Sequence, residues 1–451
     1  MASTYLTRTQ GTPTSADICT FSFWVKKCAT GSSQGIFSER VDTNNNVRIR
    51  FLDDDTIQFF QTDASATSFN FISNRVFRDT SAFYHFVVKY DSTQSTPSDR
   101  VFIYINGVEE TSWDTETYPS QNLDIRFNVS GRTAYVGSFE LSNYLNGSMS
   151  HVHFTDGTAY DASAFGQFDA NGVWTIKTSP SVTYGTNGFF ILEDGNSVTD
   201  QSGNGNNFTV GGGTLTNTED NPSNVFCTWN PLDNFYQEST FAYGNTQVRG
   251  KYPGVIYGYE TFNTGTLGMT SGKYYWEIKL SANDSGATNI GISDNVTTSS
   301  AQQLQQRTYG WSYAKDGSVK NNNSSVGGTW SSYTTGDIIG VALNLDDEQS
   351  GLNKLYFSKN GVWQNGADPS NASSVTGVVG VTKPENNSSG FYLPAGGDEN
   401  AGNSTLQANF GNGYFGETAV ASAGTNASGI GIFEYDVPTG YTALSTKGLN
   451  L

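Results

Sequence analysis

The stretch TFSFWVKK, residues 20–27, decides the fold class of this chain. Apolar side chains alternate along it, which is typical of a β-strand with one buried face. The same alternation returns, between clusters of Gly, Asn, Asp and Ser, at residues 47–52, 57–61, 84–90, 101–105, 134–137 and 149–154. The one stretch that favours a helix is 300–306 (SAQQLQQ), which is long enough for one or two turns. The sequence therefore predicts an all-β protein.

The composition agrees with this fold class and excludes several functions. The 451 residues include 50 Gly, 29 Phe, 24 Tyr and 8 Trp, so the chain can bury a large core. Its 42 acidic and 24 basic residues give a formal net charge of −18, which argues against nucleic acid as a partner. No apolar run approaches the roughly 18 residues of a membrane span, and the N-terminus lacks a secretory signal. We expect a soluble chain, assembled in a reducing cytoplasm.

Two similar hairpins lie 254 residues apart, as measured between Asn106 and Asn360. Residues 85–108 (HFVVKYDSTQSTPSDRVFIYINGV) place a strand, an Asp-containing loop, a second strand and then Asn-Gly; residues 339–362 (IGVALNLDDEQSGLNKLYFSKNGV) repeat that order. Asn-Gly pairs favour two-residue hairpin turns, and the pair at 146–147, which precedes a predicted strand, is another candidate. The similarity indicates two sandwiches in tandem, with a chance likeness between two hairpins as the alternative.

Two ordered series of motifs resemble known domain families. The segments 21–26 (FSFWVK), 83–90, 101–108 (VFIYINGV) and 144–154 (YLNGSMSHVHF) resemble a laminin-G-like, concanavalin-A-type sandwich over about residues 1–180. The segments GKYYWEI (272–278), NIGIS (289–293), YGWSYAKDG (309–317), GDIIGVALNL (336–345), KLYFSKNGV (354–362) and QANFG (407–411) resemble an SPRY domain, in that family's order. We therefore predict two tandem antiparallel β-sandwiches, at residues 1–178 and 241–451, with residues 179–240 as a connector packed on both.

The connector and the closing segment 437–446 (VPTGYTALST) are similar to virion proteins of tailed bacteriophages that pair these two domains. This resemblance implies a tail fibre or tail-associated protein that attaches the particle to a host surface glycan or protein. It also implies contacts with other virion proteins and several copies per particle, or a homo-oligomer. Tail fibres usually carry an N-terminal anchor or shaft, whereas sandwich strands are expected here from about residue 20. A capsid or tail decoration protein that binds other virion subunits is therefore the alternative.

Four aromatic residues fit a ligand-binding surface. Sugars are bound by flat aromatic faces beside amides and carboxylates. Trp113 and Tyr118 (in TSWDTETYPS) and Trp330 and Tyr333 (in GGTWSSYTTG) lie in segments that look like loops, so we predict them as ligand-binding residues. The sequence does not separate sugar from protein as the ligand. Residues Trp276 and Trp311, by contrast, fit strand patterns and are predicted to lie in the core.

Candidate catalytic residues are few. Hydrolysis of a glycosidic bond needs two carboxylates that flank it. The nearest acidic pair at strand spacing is Glu434 and Asp436, without a third acid and close to Pro438. We expect no enzymatic activity, and a polysaccharide depolymerase is the weakest alternative.

Metal sites are also weakly indicated, and we predict no cofactor. His151 and His153 alternate on a predicted strand, as two metal ligands would, but an outer-face pair beside an inward Val152 and Phe154 is the simpler interpretation. The acidic loops 53–55 and 346–348 offer the oxygen ligands that calcium prefers, and laminin-G-like domains sometimes bind calcium; soluble hairpin loops are the alternative. The three cysteines, an odd number without motif spacing, indicate neither a disulfide framework nor a zinc site.

Overall fold

The computed structural model describes residues 3–139, 141–193, 197–233, 239–250, 261–282, 287–296, 303–328, 330–399 and 403–451. The chain divides near residue 220 into a first unit, Met1–Asn217 with Asn221–Ser223, and a second unit, Thr218–Asp220 with Asn224–Leu451. Strands dominate both units, and every helix among the described residues is a 3₁₀ turn of three residues. The predicted all-β class, with two tandem antiparallel β-sandwiches, is confirmed.

The first unit is built on two large antiparallel sheets. Its described strands are β1 (Tyr5–Thr9), β2 (Ile18–Lys27), β3 (Gln34–Asp42), β4 (Asn45–Phe51), β5 (Thr56–Asp63), β6 (Ala66–Val76), β7 (Tyr84–Asp91), β8 (Val101–Ile105), β9 (Val108–Glu109), β10 (Trp113–Thr117), β11 (Thr133–Val136), β12 (Ser138–Phe139), β13 (Asn143–Tyr144), β14 (Gly147–Asp156), β15 (Gly166–Phe168), β16 (Trp174–Ile176), β17 (Phe189–Ile191) and β18 (Thr209–Gly212). Short 3₁₀ helices lie at Pro97–Asp99, Arg126–Asn128 and Ala162–Ala164. The eight-stranded sheet has the order β10-β6-β5-β4-β3-β11-β1-β18, and the six-stranded sheet has the order β17-β14-β2-β7-β8-β9.

An aromatic core lies between these two sheets. The ring of Phe21 on β2 lies 5.2 Å from Phe37 and 5.0 Å from Phe127, centre to centre. Each such ring contributes about 2 to 3 kcal/mol when it is fully buried. The other face of β2 is buried as well, because later residues cover it; Trp24 on that face is 5% exposed. Alternation alone therefore understates the burial of β2.

The second unit is a sandwich of the same kind. Its described strands are β19 (Thr240–Ala242), β20 (Gln247–Arg249), β21 (Thr261–Thr264), β22 (Lys273–Ala282), β23 (Ala287–Ser293), β24 (Gly310–Ala314), β25 (Val319–Asn321), β26 (Ser324–Ser325), β27 (Ile338–Gln349), β28 (Leu352–Lys359), β29 (Val362–Trp363), β30 (Val379–Val381), β31 (Leu393–Glu399), β32 (Thr405–Asn409), β33 (Tyr414–Phe415), β34 (Thr418–Ala419) and β35 (Thr442–Ala443). Its 3₁₀ helices lie at Leu304–Gln306, Gln364–Gly366, Pro384–Asn386 and Gly448–Asn450.

The two main sheets of the second unit enclose a separate core. One has the path β19-β20-β32-β22-β27-β28-β29, with β30 beside β28 and β35 beside β22; the other has the order β21-β31-β23-β24-β25-β26. Trp276 and Trp311 lie in this core and are 0% and 3% exposed, which confirms the prediction for both. The predicted helical stretch 300–306 is described only from residue 303, where it forms the single turn Leu304–Gln306.

Two of the Asn-Gly pairs named above, 106–107 and 360–361, form the predicted hairpin turns. Asn106 and Gly107 have φ angles of 48° and 79°, and Asn360 and Gly361 have 49° and 78°. Positive φ at both central residues gives a turn whose twist matches the flanking strands.

The turn prediction is wrong for the pair Asn146 and Gly147. Neither residue has a positive φ. Gly147 begins β14 and pairs with Lys27, and a Cβ added there would lie 2.2 Å from the backbone oxygen of Lys26. Close approach to a neighbouring strand, rather than a turn, accounts for this glycine.

The residues assigned to a connector are incorporated into the two units. Strand β17 pairs with β14 at the edge of the six-stranded sheet, and Phe189 is fully buried in the core of the first unit. Phe208 belongs to the same core. Phe226 and Trp229, 1% and 0% exposed, are buried in the second unit. In the described part of the chain, no helix is long and apolar enough to cross a membrane.

Candidate functional site

Trp113 begins the edge strand β10, so its predicted loop position is wrong, and Tyr118 directly follows that strand; both residues are partly exposed. Both rings pack edge-on against Phe71, with centres 5.5 Å and 5.1 Å away. The hydroxyl of Tyr118 donates to Oε1 of Glu116 at 2.5 Å. Burial, with the neighbouring Glu116 carboxylate, raises the pKa of Tyr118 to about 12. Both rings are therefore held in place by their neighbours, and part of each residue remains exposed to a ligand.

Trp330 and Tyr333 do not lie on an exposed loop, and that part of the prediction is wrong. They are 6% and 2% exposed and belong to the core of the second unit. Their rings lie 5.3 Å and 5.1 Å from the ring of Tyr313. The Tyr333 hydroxyl lies 2.9 Å from the backbone oxygen of Thr288. These contacts show that both residues are core residues. Their burial removes the structural basis for the predicted ligand-binding role.

Backbone contacts explain how a segment without alternation buries two large rings. Trp330 donates its backbone N–H to the oxygen of Gly317 at 3.2 Å, and Tyr333 donates to the oxygen of Lys315 at 3.0 Å. These bonds hold the segment against the turn after β24. Gly317 has a φ of 92° there. An irregular segment fixed in this way inserts its aromatic side chains into the core without forming a strand.

His153 is buried beneath residues that follow β14 in the chain. Its ring stacks on Phe190 at 3.9 Å, and its Nδ1 lies 2.9 Å from the hydroxyl of Tyr184. Burial lowers its pKa well below the ordinary value. His151 has a φ of 47°, and the strand register shifts between Ser150 and His153. The expected regular alternation of the two histidines is therefore interrupted by a bulge.

His85 forms the centre of an aromatic stack on the same outer face of the six-stranded sheet. Its ring lies 4.5 Å from Trp24 and 5.9 Å from Trp174. Trp174 donates its Nε1 hydrogen to Nδ1 of His85 at 2.9 Å, so Nε2 carries the proton and donates to Ser22. Burial lowers the pKa of His85 to about 3. The described residues contain no group of three or more His, Cys, Asp and Glu arranged to hold a metal ion.

Carboxylates of the two acidic segments are engaged by protein groups; residues 53–55 form a loop, but residues 346–348, predicted as a loop, lie on β27. Asp55 contacts Nζ of Lys27 at 2.8 Å and Nε of Arg78 at 3.0 Å. Burial alone would raise the pKa of Asp55, but these hydrogen bonds and one from the Gly31 N–H lower it. Asp347 contacts Nζ of Lys273 at 2.8 Å, while the side chain of Glu348 lies outside the described residues. Both segments thus bind cationic side chains of the protein itself.

A buried glutamate holds the segment that contains the acidic pair. Glu277 on β22 is fully buried, and its carboxylate accepts the backbone N–H groups of Glu434 and Tyr435 at 2.9 Å and 2.8 Å. Tyr275 and Asn409 donate two further hydrogen bonds. Burial nevertheless raises the pKa of Glu277 to about 7.

The predicted acidic pair stabilises its own loop. Glu434 accepts the N–H of Ala421 at 2.9 Å, and Asp436 accepts the N–H of Thr425 at 2.7 Å. Hydrogen bonds from Thr425 lower the pKa of Asp436. Sequence spacing could not reveal the role of Glu277, because three of its four hydrogen-bond partners lie more than 130 positions away.

Comparison with solved structures gives partial matches of low identity. The SPRY domain of human HERC1 is 16% identical, with a TM-score of 0.28, over 40% of this chain and 96% of that one. A putative carbohydrate binding protein from Bacteroides ovatus is 15% identical, with a TM-score of 0.31, over 48% of this chain and 57% of that one. These values carry no functional argument. Among curated proteins, none matches the chain.

Two parts of the sequence match domain families directly. Residues 2–163 match the concanavalin A-like lectin/glucanases superfamily, and residues 273–393 match the SPRY domain. Domains of this lectin-like type suggest a binding role. The chain therefore carries a laminin-G-type, concanavalin A-like domain followed by an SPRY domain.

Proposed function

We propose that this chain is a non-enzymatic virion protein of a tailed bacteriophage that attaches the particle to a host surface glycan or protein. The observation that carries the proposal is the pairing of a lectin-like domain with an SPRY domain in one chain. The similarity of the intervening and closing segments to phage virion proteins adds the biological setting. Rigid sandwiches present fixed loops and sheet faces, which is where binding sites on such folds usually occur.

Attachment would draw on many weak sites. Several copies on one particle raise the effective concentration of each site, so individual contacts need not be strong. Of the four predicted ligand-binding residues, Trp113 and Tyr118 keep partly exposed rings. They are our candidates for an aromatic contact in the first unit.

The absence of enzymatic activity is part of the proposal. Glu434 and Asp436 accept backbone N–H groups, and the Glu277 carboxylate is sealed in the second unit. Carboxylates engaged in this way are poorly placed to flank a glycosidic bond. We expect the purified chain to release no reducing ends from host polysaccharide. Release that one Asp or Glu substitution abolishes would favour a depolymerase.

Competition with intact particles tests attachment. The purified chain is added to host cells before the phage, and the adsorbed fraction of particles is counted. Adhesion predicts that the chain binds the cells and reduces adsorption in proportion to its concentration. A chain that binds particles lacking it, but not cells, would instead be a decoration or assembly protein. A chain that binds neither would contradict the proposed function.

A further inference from the structure

Strand β10 is an edge strand with one unpaired side. It ends the eight-stranded sheet of the first unit and pairs with β6 alone among the described strands. Outside that pairing, no hydrogen bond within the described part of the chain involves the backbone of residues 113–117. Every second residue of an edge strand points its backbone N–H and C=O groups away from its neighbour. Strand β10 therefore presents free backbone donors and acceptors at the edge of the sheet.

The length and the charge of β10 distinguish it from the other edge strands of this unit. Of the four strands that end the two large sheets, β10 is the longest, with five residues. The stretch 108–118 (VEETSWDTETY) contains four acidic residues and no basic one. Arg75 pairs with one of them, Glu110, at 3.0 Å between Nε and Oε2. Within the described residues, Glu109, Asp114 and Glu116 have no ion pair.

The two carboxylates on β10 are exposed and keep the capacity to bind a cation. The hydroxyl of Thr115 donates to Oδ2 of Asp114 at 3.3 Å, and that of Tyr118 donates to Oε1 of Glu116 at 2.5 Å. The second oxygen of each carboxylate accepts no hydrogen bond from the described residues. Because a carboxylate can accept roughly four hydrogen bonds, one such bond leaves most of its capacity unused.

Aromatic rings lie beside these carboxylates. Trp113 begins β10 and Tyr118 follows it, and both residues are partly exposed. Burial raises the pKa of Tyr118 to about 12, and the carboxylates of Glu116, Glu109 and Asp99 raise it further in the same direction. The phenol is therefore surrounded by acidic groups. Aromatic rings and carboxylates together favour the side chain of a lysine or an arginine, which pairs with the acids and packs on the rings.

We propose that β10 binds an extended segment of another protein, rich in lysine or arginine, as a ninth strand of this sheet. Pairing of the two backbones supplies affinity, and charge complementarity selects the partner. A second copy of this chain fits less well, because its own β10 would place carboxylates opposite carboxylates. The inference deepens the proposed attachment function, since it names the kind of protein bound at Trp113 and Tyr118, and it rests on that function.

The test uses the full chain and a matched pair of short peptides. One peptide alternates lysine with threonine; the other alternates lysine with proline, which keeps the charge but removes every second N–H and disfavours a paired strand. We expect the lysine–threonine peptide to bind and the lysine–proline peptide to bind at least about tenfold more weakly, the effect of losing one or two backbone hydrogen bonds. Equal binding of the two peptides, or no binding of the first, would overturn the proposal.

A cationic glycan is the competing kind of ligand. A chitosan oligosaccharide carries one amine per sugar but has no peptide backbone. We expect it to bind at least about tenfold more weakly than the lysine–threonine peptide, because it cannot pair with an edge strand. Binding as tight as that of the peptide would identify a cationic glycan as the ligand and overturn the proposal.

Substitutions test the role of the two carboxylates. Asp114→Asn combined with Glu116→Gln should weaken binding of the lysine–threonine peptide about tenfold, because two exposed ion pairs are lost. Glu385→Gln combined with Glu417→Gln makes the same change of charge on exposed residues of the second unit and should leave binding unchanged. Equal losses in the two double variants would show a general charge effect and overturn the proposal.

Hydrogen exchange locates the peptide without any substitution. At a concentration about ten times its Kd, the lysine–threonine peptide should slow exchange of the outward N–H groups of residues 113–117 about tenfold. Exchange in β18, at the opposite edge of the sheet, should not change. Protection confined to other parts of the chain would overturn the proposal. Protection of residues 113–117 that rises with the concentration of the chain alone would identify a second copy as the occupant and overturn it as well.

Binding to host cells distinguishes failure of this inference from failure of the proposed function. If the Asp114 and Glu116 double variant binds cells as the parent does, β10 is not the attachment site and the inference is wrong, although the attachment function survives. If the parent chain binds neither cells nor particles, the proposed function fails, whatever the result with the peptides.

Discussion

The two sandwiches share one hairpin corner, an Asn-Gly turn held by the same hydrogen bonds. They differ in the ionisable side chains that they bury. In the first unit, Asn106 Oδ1 accepts the backbone N–H of His85 at 2.8 Å; in the second, Asn360 Oδ1 accepts that of Ile338 at 2.9 Å. Each asparagine N–H also donates to the oxygen of that same partner residue. The 254-residue similarity thus marks one hairpin corner that occurs in both units. A shared corner does not, however, dictate what each sheet buries on its outer face.

The ionisable side chain that is buried on this outer face is a base in the first unit and an acid in the second. The first unit buries neutral histidines in aromatic stacks, and burial lowers the pKa of His85 to about 3. The second unit buries Glu277, whose pKa burial raises to about 7. Both side chains favour their neutral form because burial removes them from water. His85 becomes neutral by losing a proton, and Glu277 by keeping one. The two sandwiches should therefore respond to pH in opposite directions.

The largest expected effects are in the core of the second unit. Trp276→Ala and Trp330→Ala each remove a buried ring and should cost about 3 to 5 kcal/mol in the free energy of unfolding. Chemical denaturation followed by circular dichroism measures this. A Trp330→Ala variant as stable as the parent would restore the expectation of an exposed loop there.

Glu277 should make the second unit less stable as the pH rises. Because its folded-state pKa lies above the unfolded value, the stabilisation is full below about pH 4.5 and is lost as the pH passes about 7. The loss approaches about 3 kcal/mol. Hydrogen exchange of peptides from the second unit, corrected for intrinsic rates, measures it across pH 4.5 to 8.

Glu277→Gln should remove this pH dependence. It should also destabilise the unit at low pH by about 1 to 3 kcal/mol, because an amide NH₂ would face backbone N–H donors. Glu417→Gln, a substitution of an exposed glutamate in the same unit, is the matched control. If both variants keep the parental pH profile, Glu277 is not the titrating group.

The first unit should show the reverse response in acid. Burial lowers the pKa of His85 to about 3 and that of His151 to about 4, so their stabilising effect is present above about pH 6.5 and is lost as the pH falls. At pH 5 the loss is about 2 kcal/mol for each histidine. The same exchange experiment, read on peptides of β7 and β14, measures it. If the stability of both units changed in the same direction with pH, the contrast drawn between them would be wrong.

The two corner asparagines should contribute equally. Replacing Asn106 or Asn360 by Ala removes the side-chain acceptor and places a Cβ residue at positive φ, at a cost of about 1 to 2 kcal/mol. Replacement by Gly keeps the backbone conformation and loses only the hydrogen bond, at about 1 kcal/mol. Thermal unfolding of the four variants measures both contributions. A cost in one unit alone would show that the corners are not equivalent.

The smallest effect on stability is expected at Trp113. This ring is partly exposed at a sheet edge, so Trp113→Ala should cost about 1 kcal/mol while weakening attachment to cells. Tyr243→Ala removes a ring that is 39% exposed in the second unit and serves as the control. Unchanged attachment of the Trp113 variant would remove this residue from the candidate site.

The fold was predictable because its signals are local. Alternation in segments such as residues 20–27, and Asn-Gly turns such as Asn106-Gly107, depend only on neighbouring residues. The buried outer faces were not predictable in the same way. Alternation assigns one buried face to β2, and only covering residues far along the chain bury Trp24.

The candidate site was harder to predict than the fold for the same reason. Trp330 and Tyr333 lie in a segment without alternation, and their burial depends on backbone bonds to Gly317 and Lys315. Glu277 is one glutamate within a strand, and its role depends on a segment about 157 residues later. Local sequence carries no signal for contacts of this range.

Immunogold labelling of intact particles tests the central claim most directly. An antibody against the folded chain is applied to particles of the phage that is proposed to encode it, with particles lacking the chain as the control. Attachment to the host predicts label on the tail fibres or tail tip. Label confined to the capsid would favour the decoration alternative, and particles without specific label would contradict the claim that this is a virion protein.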